Sequence, residues 1–230
     1  MTSGSIDDES PPRAAQKPVR RRGRPSGSTG RELLTIAREH FLAHGFRGAT
    51  MDAVAARARI SKQTLYAQYP SKDALYTAVV RDWVDQGHDA LAPHARALLD
   101  TEDLAAALGR LAAVLQAAIL SEPVLKLRAL VAAAADTQPA VATDYVTRSW
   151  DRNVTLLADT LETLDRDGRL AVDDPNIAAQ QFVWLALGAP LNRLELTAGH
   201  HRYRPPDLAG IAEQGVQTFL SRYSPPIQRC

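Results

Sequence analysis

The chain has 230 residues, of which 45% are hydrophobic, 6% are aromatic and 23% are charged, with a formal net charge of +1. This length exceeds the commonest size of a single domain and favours a small domain followed by a larger one. Abundant alanine and few aromatic residues favour closely packed helices, so an all-α fold is predicted. The single cysteine, Cys230, excludes an internal disulfide and a cysteine-rich zinc site.

No stretch reaches the roughly 18 uninterrupted apolar residues of a membrane helix, and the first residues lack the apolar core of a signal peptide. We therefore expect no membrane partner and a cytoplasmic location. The charge is uneven, because residues 1–72 contain 13 Lys/Arg and 6 Asp/Glu, whereas residues 73–230 contain 14 and 20. The basic N-terminal part is where a polyanion such as DNA should bind. The alternative is a basic surface that contacts only solvent, since it would have the same charge.

Residues 1–28 are rich in Ser, Pro, Gly and charge and lack apolar periodicity, which predicts a disordered basic arm. The sequence Arg-Gly-Arg-Pro within it resembles the core of an AT-hook, whose arginines enter a narrow minor groove. A basic tail without specific contacts is the alternative. The predicted arm contacts are Arg20, Arg21, Arg22 and Arg24.

Residues 31–44 place apolar side chains on one face. This pattern predicts an amphipathic helix that packs across the two short helices that follow it in the chain. His40 and His44 have the i, i+4 spacing of some metal ligands on a helix. No third ligand accompanies them, so we expect polar histidines and no metal site.

Two short helices with a tight connection follow. Thr50 is a good N-cap for the first, and Ser61 caps the second, which runs from Lys62 to about Gln68 before Pro70 ends it. This pattern is typical of a helix-turn-helix. Because Leu65 is the only apolar anchor in the second helix, its other side chains are free to read a DNA groove.

The run 60–66, Ile-Ser-Lys-Gln-Thr-Leu-Tyr, followed by Tyr-Pro-Ser-Lys-Asp-Ala-Leu at 69–75, resembles the DNA-binding signature of the TetR family of bacterial transcriptional regulators. Gly45-Phe46 and Thr50 match the positions that precede it, so the resemblance covers residues 31–76. It implies a three-helix head that reads operator DNA in the major groove. The implied contact residues are Thr50, Ser61, Lys62, Gln63, Thr64, Tyr66, Gln68, Tyr69 and Lys72. Tyr69 stands where Phe is commoner, and Gln68 stands where a His often touches phosphate.

The rest of the chain predicts a larger helical body. Apolar stripes and prolines place helices from Lys72 toward Gly87, over 101–120, 124–135 and 150–164, from Pro175 and over 206–223, which makes about nine helices in all. The predicted division is a basic arm at 1–28, a helix-turn-helix domain at 29–76, a ligand-binding and dimerisation domain at 77–223 and a tail at 224–230. The proline spacing is similar to that of an AefR-like C-terminal subgroup.

The resemblance also implies a homodimer and a ligand cavity. In the TetR family the last two helices pair with their copies across a two-fold axis, and the small residues of the last helix here suit that role. The implied interface residues are Leu185, Leu208, Ile211, Ala212, Gly215, Val216 and Phe219. The family's cavity lies among the body helices beneath the helix that follows the head. Its polar or aromatic candidates here are Trp83, His88, Trp150, Asn153, Trp184 and Asn192.

No phosphate loop, dinucleotide fingerprint, nucleophile elbow or metal spacing occurs, so we expect neither catalysis nor a cofactor. The interpretation is a homodimeric repressor that binds a palindromic DNA operator, associates with the nucleoid when bound, and is released by an unknown small-molecule effector. A transcriptional activator or dual regulator is the alternative. A constitutive architectural DNA binder also remains open, although it would not require so large a body.

Overall fold

The computed structural model describes residues 30–87 and 91–226, and within these ranges it contains helices and no strand. The all-α prediction is confirmed. A π-helical segment, Thr147–Asp151, joins α8 to α9 without a break, and if these three count as one helix the described residues hold ten. The helices are α1 Arg31–Gly48, α2 Met51–Arg57, α3 Lys62–Gln68, α4 Lys72–Gly87, α5 Ala92–Arg96, α6 Leu104–Ile119, α7 Glu122–Ala134, α8 Pro139–Val146, α9 Arg152–Arg166, α10 Pro175–Leu196 and α11 Pro205–Tyr223.

The short helix α5 was not predicted, because a helix of five residues is too short to show a helical apolar period in the sequence. Helix α10 continues through Pro190. No single described helix has the length and apolar composition to cross a membrane. Helices α6 and α7 meet these two criteria only when they are counted together, and the angle between them is 60°.

Side-chain caps define the two short helices of the head. The Thr50 hydroxyl accepts a hydrogen bond from the Ala53 amide at 3.3 Å, and the Ser61 hydroxyl accepts one from the Thr64 amide at 3.0 Å. Each bond satisfies an amide that the first helical turn leaves free. Gly45 has φ 67°, which turns the chain out of α1 and is a conformation that glycine adopts without steric cost.

Two hydrophobic cores hold the molecule together. The head core joins α1–α4 with α7 and α8, through residues such as Phe41, Leu65, Tyr76, Leu130 and Tyr145. The Tyr76 hydroxyl donates a hydrogen bond to the Leu130 carbonyl at 3.4 Å, which fixes α4 against α7. The head core therefore continues past residue 76, and the predicted division between head and body at that point stays a prediction.

The body core joins α6, α9, α10 and α11 with Leu91 and Leu98, which flank α5. Gln116 on α6 has a buried amide that donates hydrogen bonds to the Ala186 and Leu208 carbonyls, each at 3.0 Å. A buried amide with two partners fixes the register of three helices at once. We call the boundary between the head core and the body core the seam.

The π segment crosses the seam. Val141 and Tyr145 on α8 belong to the head core, whereas Val154 and Leu157 on α9 belong to the body core. Single π turns inside α-helices are rare and occur frequently at functional sites. The one helix that belongs to both cores thus has its irregular turn where the cores meet.

The stripe of α11 that was expected to face a partner packs inside its own protomer. Ala212, Val216 and Phe219 are all at most 6% exposed and lie in the body core. A Cβ atom on Gly215 would lie 3.1 Å from the Leu185 carbonyl oxygen, so the glycine allows α11 to approach α10 of the same chain. This placement differs from the sequence-based expectation, because an apolar stripe alone does not distinguish a protomer core from a dimer interface.

Candidate DNA-binding surface and body cavity

Helix α3 presents its polar side chains to solvent. Leu65 is fully buried and anchors the helix on the head core, whereas Tyr66 is 47% exposed. The predicted reading residues Lys62, Gln63, Thr64 and Gln68 are also exposed. A helix with one buried anchor and exposed amide, hydroxyl and ammonium groups has the form required to enter a major groove.

Two of these side chains have partners within the head. Lys62 Nζ lies 2.5 Å from Asp52 Oδ2 in an exposed ion pair, and the Ser61 and Thr64 hydroxyls lie 2.7 Å apart. An exposed pair contributes little to stability, so the Lys62 ammonium can exchange this carboxylate for a base or a phosphate. The Ser61 hydroxyl caps α3, and its predicted contact with DNA stays a prediction.

Lys72 and Tyr69 belong to the framework of the head. Lys72 Nζ donates to the Ala49 and Arg47 carbonyls at 3.2 and 3.4 Å and lies 4.6 Å from the centre of the Phe46 ring. Tyr69 is half-buried against the head core, and burial together with Asp82 raises the pKa of its hydroxyl. Both residues thus position α3 and α4, and their predicted DNA contacts remain untested.

Arg59 was not among the residues predicted to contact DNA. Its φ of 56° lies in the left-handed region that favours glycine, and its side chain is exposed in the turn before α3. The sequence does contain a signal for Arg59. It is a positively charged residue in the turn between two helices, where a glycine would have adopted the positive φ without strain. Arg20, Arg21, Arg22 and Arg24 of the predicted arm lie outside the described residues.

A cavity of about 330 Å³ lies on the seam. Trp83, Val84, Leu127 and Tyr145 of the head core line one side, and residues of the body core line the other. The body-core side consists of Leu91, Leu115, Ile119, Trp150, Val154 and Val183. A molecule in this cavity would touch both cores.

Three of the predicted ligand residues line this cavity, namely Trp83, Trp150 and Asn153. Trp184 is 52% exposed on the outside of α10, where its ring centre lies 5.6 Å from that of Trp150. Asn192 lines only a shallow surface depression beside Thr197. Both differ from the expectation because helix periodicity does not show which side of α10 faces inward. His88 lies outside the described residues.

Polar groups occupy one wall of the cavity. Arg128 pairs with Glu195 of α10, and Arg148 lies 3.1 Å from Asp144 and 3.5 Å from Asp85. The π segment supplies three lining residues, Arg148, Ser149 and Trp150. Sequence reasoning missed Arg128 and Arg148, because surface arginines on helices are common and only the fold places these two at a cavity.

An ion cluster connects the cavity wall to α4. Arg81 Nε on α4 lies 2.7 Å from Asp144 Oδ2, and Asp144 also accepts from Arg148. The hydrogen bond from Arg81 holds the pKa of the Asp144 carboxyl below its usual range. In the described residues no group of three or more His, Cys, Asp or Glu side chains has the arrangement of a metal site.

Comparison with known proteins identifies the family. Residues 106–225 match the C-terminal domain of AefR-like transcriptional repressors, and residues 33–79 match bacterial regulatory proteins of the tetR family. The first match alone spans more than half of the chain. The chain belongs to the TetR family. It is therefore a DNA-binding transcriptional regulator of that family, whose members are regulators and not enzymes.

Relatives of this TetR-family chain match it over a short part of its length. The HTH-type transcriptional regulator RutR of Escherichia coli K12 is 35% identical over 71 residues, which are 31% of this chain and 34% of RutR. The HTH-type transcriptional activator FasR of Mycolicibacterium smegmatis is 44% identical over 54 residues, which are 24% of this chain and 25% of FasR. The chain thus matches about a third or less of the length of these relatives.

Solved structures match the TetR-family chain over head and body together. A TetR-family transcriptional regulator from Mesorhizobium loti has 29% sequence identity and a TM-score of 0.79, covering 84% of this chain and 96% of that one. The flavonoid-responsive regulator FrrA has 25% identity and a TM-score of 0.66, covering 84% and 95%. The AefR-like subgroup suggested by the proline spacing is confirmed by the match over the body.

Proposed function

We propose that the protein is a cytoplasmic, homodimeric repressor that binds a palindromic operator and is released by a small molecule bound in the seam cavity. The location of that cavity carries the proposal, since any molecule in it touches the core that holds the head and the core that holds α10 and α11. The match to an AefR-like repressor C-terminal domain and the likeness to a flavonoid-responsive regulator support it.

In this proposal α3 enters the major groove. Lys62, Gln63 and Thr64, near its first turn, reach base edges, while Tyr66 and Gln68 contact the DNA backbone. Thr50 and Ser61 cap the N-termini of α2 and α3 and so fix their orientation toward DNA. Lys72 bonds the Ala49 carbonyl within the head, and its ammonium also contacts a DNA phosphate. Two heads of one dimer must read major grooves roughly 34–36 Å apart, or a multiple of that distance, which requires a palindromic operator.

The dimer forms through the outward faces of α10 and α11. Ile177 and Trp184 lie seven residues apart on one face of α10 and are 51% and 52% exposed, which is unusual for side chains of this size. Gly188 allows the indole of Trp184 to lie across the helix, because a Cβ at that position would meet the ring at 2.6 Å. A copy of the same face across a two-fold axis would cover this apolar patch.

Sedimentation of a matched pair of variants tests the dimer. Trp184→Glu should give a folded monomer, because a carboxylate would be buried in the interface. Leu196→Glu replaces an apolar side chain that is 80% exposed at the end of the same helix, and it should remain a dimer. A dimer for Trp184→Glu, or a monomeric wild type, would remove this face from the proposal.

Release follows from the geometry of the seam. A ligand can shift the protein only by binding one arrangement of the two cores more tightly than the other. The π segment is the irregular turn of the helix that both cores share, and its Arg148 is paired with Asp85 of α4. A ligand that moves this segment would move α4, and α4 carries the head.

Operator titrations test release. Ala118 lines the cavity, and Ala118→Trp should fill it and leave operator affinity in the absence of ligand unchanged while abolishing the response to a ligand. Ala133→Trp, on the exposed part of α7, is the control and should respond like the wild type. Typical coupling free energies between a ligand site and a DNA site predict that operator affinity falls by about 5- to 150-fold at saturating ligand. An unchanged affinity would leave a constitutive DNA binder.

An activator is the second candidate, because the chain is 44% identical over 54 residues to the activator FasR. The two functions differ in the sign of the effect on transcription. A reporter driven by the operator in a strain that lacks the protein should be more active if the protein is a repressor and less active if it is an activator.

A further inference from the structure

We infer that the ligand of the seam cavity is a neutral, planar molecule of two aromatic rings that donates one hydrogen bond to Asn153. This inference rests on the proposed function, because it assigns a chemical class to the ligand of the proposed effector site. It follows from the size of the cavity, from the pairing of its charges and from one buried oxygen atom.

The size and the walls indicate two rings. An apolar cavity of roughly 150 Å³ holds one benzene, and this cavity of about 330 Å³ has about twice that volume. The rings of Trp83, Tyr145 and Trp150 form part of its wall, alongside aliphatic side chains. Aromatic rings pack against such walls edge-to-face or offset, which favours a flat, rigid ligand.

The charges indicate a neutral ligand. Among the described lining residues only Arg128 and Arg148 are charged, and both already have carboxylate partners. Glu195 pairs with Arg128, and Asp144 and Asp85 pair with Arg148. A ligand carboxylate would have to displace one of these partners or lie near it unpaired, and a buried unpaired charge is unfavourable.

The polar wall indicates a hydrogen-bond donor. Asn153 Oδ1 is buried and has no hydrogen-bond partner, while the neighbouring Ser149 hydroxyl already donates to the Tyr145 carbonyl at 2.6 Å. Buried acceptors are nearly always satisfied in native structures. Asn153 belongs to the cavity wall, so an O–H or N–H of the ligand would supply the missing donor.

Calorimetric titration of the full-length protein without DNA tests this class with three probes of one shape. 2-Naphthol is a phenol, neutral at pH 7, that can donate. 2-Methoxynaphthalene has the same rings and only accepts, and 2-naphthoate is an anion. We expect 2-naphthol to bind about tenfold more tightly than each of the other two, since an unsatisfied buried partner weakens binding by that order.

Variants of Asn153 identify the acceptor. Asn153→Leu should remove the preference for 2-naphthol over 2-methoxynaphthalene, whereas Asn153→Asp, which keeps an oxygen acceptor, should retain it even if the leucine variant folds poorly. Asn192→Leu, outside the cavity, should behave like the wild type. The class is wrong if 2-naphthoate or 2-methoxynaphthalene binds as tightly as 2-naphthol, if no probe binds, or if Asn153→Leu keeps the preference.

A gel shift with operator DNA separates this inference from the proposed function. Binding of 2-naphthol without release of DNA would overturn the effector role and support the ligand class. Release of DNA by 2-naphthoate alone would support the effector role and overturn the class.

Discussion

The Arg81 guanidinium of α4 lies 2.7 Å from the Asp144 carboxylate of α8. The helix that leaves the head is therefore paired with the helix that enters the π segment. Asp144 also pairs with Arg148 of the cavity wall, so this carboxylate connects α4 to the cavity.

We expect Asp144→Asn to reduce the effect of ligand on operator affinity several-fold, because it removes the charge that holds Arg81 and Arg148 together. Folding stability should fall by less than about 1 kcal/mol, since the pairs are partly exposed. Operator titrations with and without ligand measure the first quantity, and thermal unfolding measures the second. Glu162→Gln, which breaks the surface pair with Arg166 on α9, is the control. Equal ligand responses of the two variants would contradict a role for Asp144 in coupling.

Gln63→Ala should relax the base preference at one or two positions of each half-site by about 1–3 kcal/mol, because an amide on the first turn of α3 reads base edges. Lys72→Ala should weaken binding to all sequences alike and should also lower head stability, since its ammonium bonds two head carbonyls. Lys126→Ala, which breaks the surface pair with Glu122 on α7, is the control. Affinities for an operator, its single-base variants and unrelated DNA measure the difference. The same loss on every sequence for Gln63→Ala would exclude base reading by this residue.

Arg59→Gly should stabilise the folded protein by about 1 kcal/mol, because glycine adopts a positive φ without the steric cost that arginine has. The same change should weaken DNA binding, as it removes a cation beside α3. Denaturant unfolding and the salt dependence of DNA affinity test the two effects together. A variant that is more stable and binds DNA equally well would show that Arg59 has no DNA contact.

His40 should make the head less stable in mild acid. It is 5% exposed, its Nδ1 has no hydrogen-bond partner, and burial, with His44 and Arg57 nearby, lowers its pKa below 6.5. The folded state then binds fewer protons than the unfolded state, so stability is complete above about pH 6.5 and falls as the pH drops from there to the lowered pKa. His40→Gln should lose less thermal stability between pH 7.5 and about pH 5.5 than the wild type. His200→Gln, on the surface before α11, should follow the wild type.

Gly215→Ala should destabilise each protomer by about 1–2 kcal/mol, because the new Cβ would press on the Leu185 carbonyl, which is held in α10. Gly109→Ala, inside α6, meets no atom within 4 Å and should stabilise by about 0.5–1 kcal/mol. Chemical unfolding of both variants measures these changes. If Gly215→Ala instead dissociated the dimer without loss of protomer stability, α11 would face the partner as first expected from the sequence.

The head was predictable because its signals are local. Thr50, Ser61 and Pro70 delimit α2 and α3 through caps and backbone torsions that depend on neighbouring residues only. The buried position of Leu65 follows from its being the one large aliphatic residue in a mostly polar helix. Such features need no knowledge of the body.

The body was less predictable because its sites depend on which helix faces lie inward. The periodicity of α11 located an apolar stripe, but the protomer core and a dimer interface both bury such stripes, and Phe219 belongs to the core. The cavity forms where two cores meet, so Arg128 from α7 and Asn153 from α9 come together only in the folded chain. Trp150 was among the predicted cavity residues because the resemblance to the TetR family places a cavity among the body helices, where aromatic residues are candidates for its wall.

The three tryptophans provide the molecule with an internal optical reporter. Trp83 lies beneath the guanidinium of Arg38, which is 4.7 Å from its ring centre, Trp150 lines the cavity, and Trp184 lies beside it on the outer face of α10. Indoles 5.6 Å apart couple their excited states, so the near-ultraviolet circular dichroism of the Trp150–Trp184 pair depends on their mutual angle. The spectrum of unlabelled protein can therefore follow the cavity wall and the outer face of α10 together, and Trp83, which also lines the cavity, adds the side of the wall that contacts Arg38 of α1.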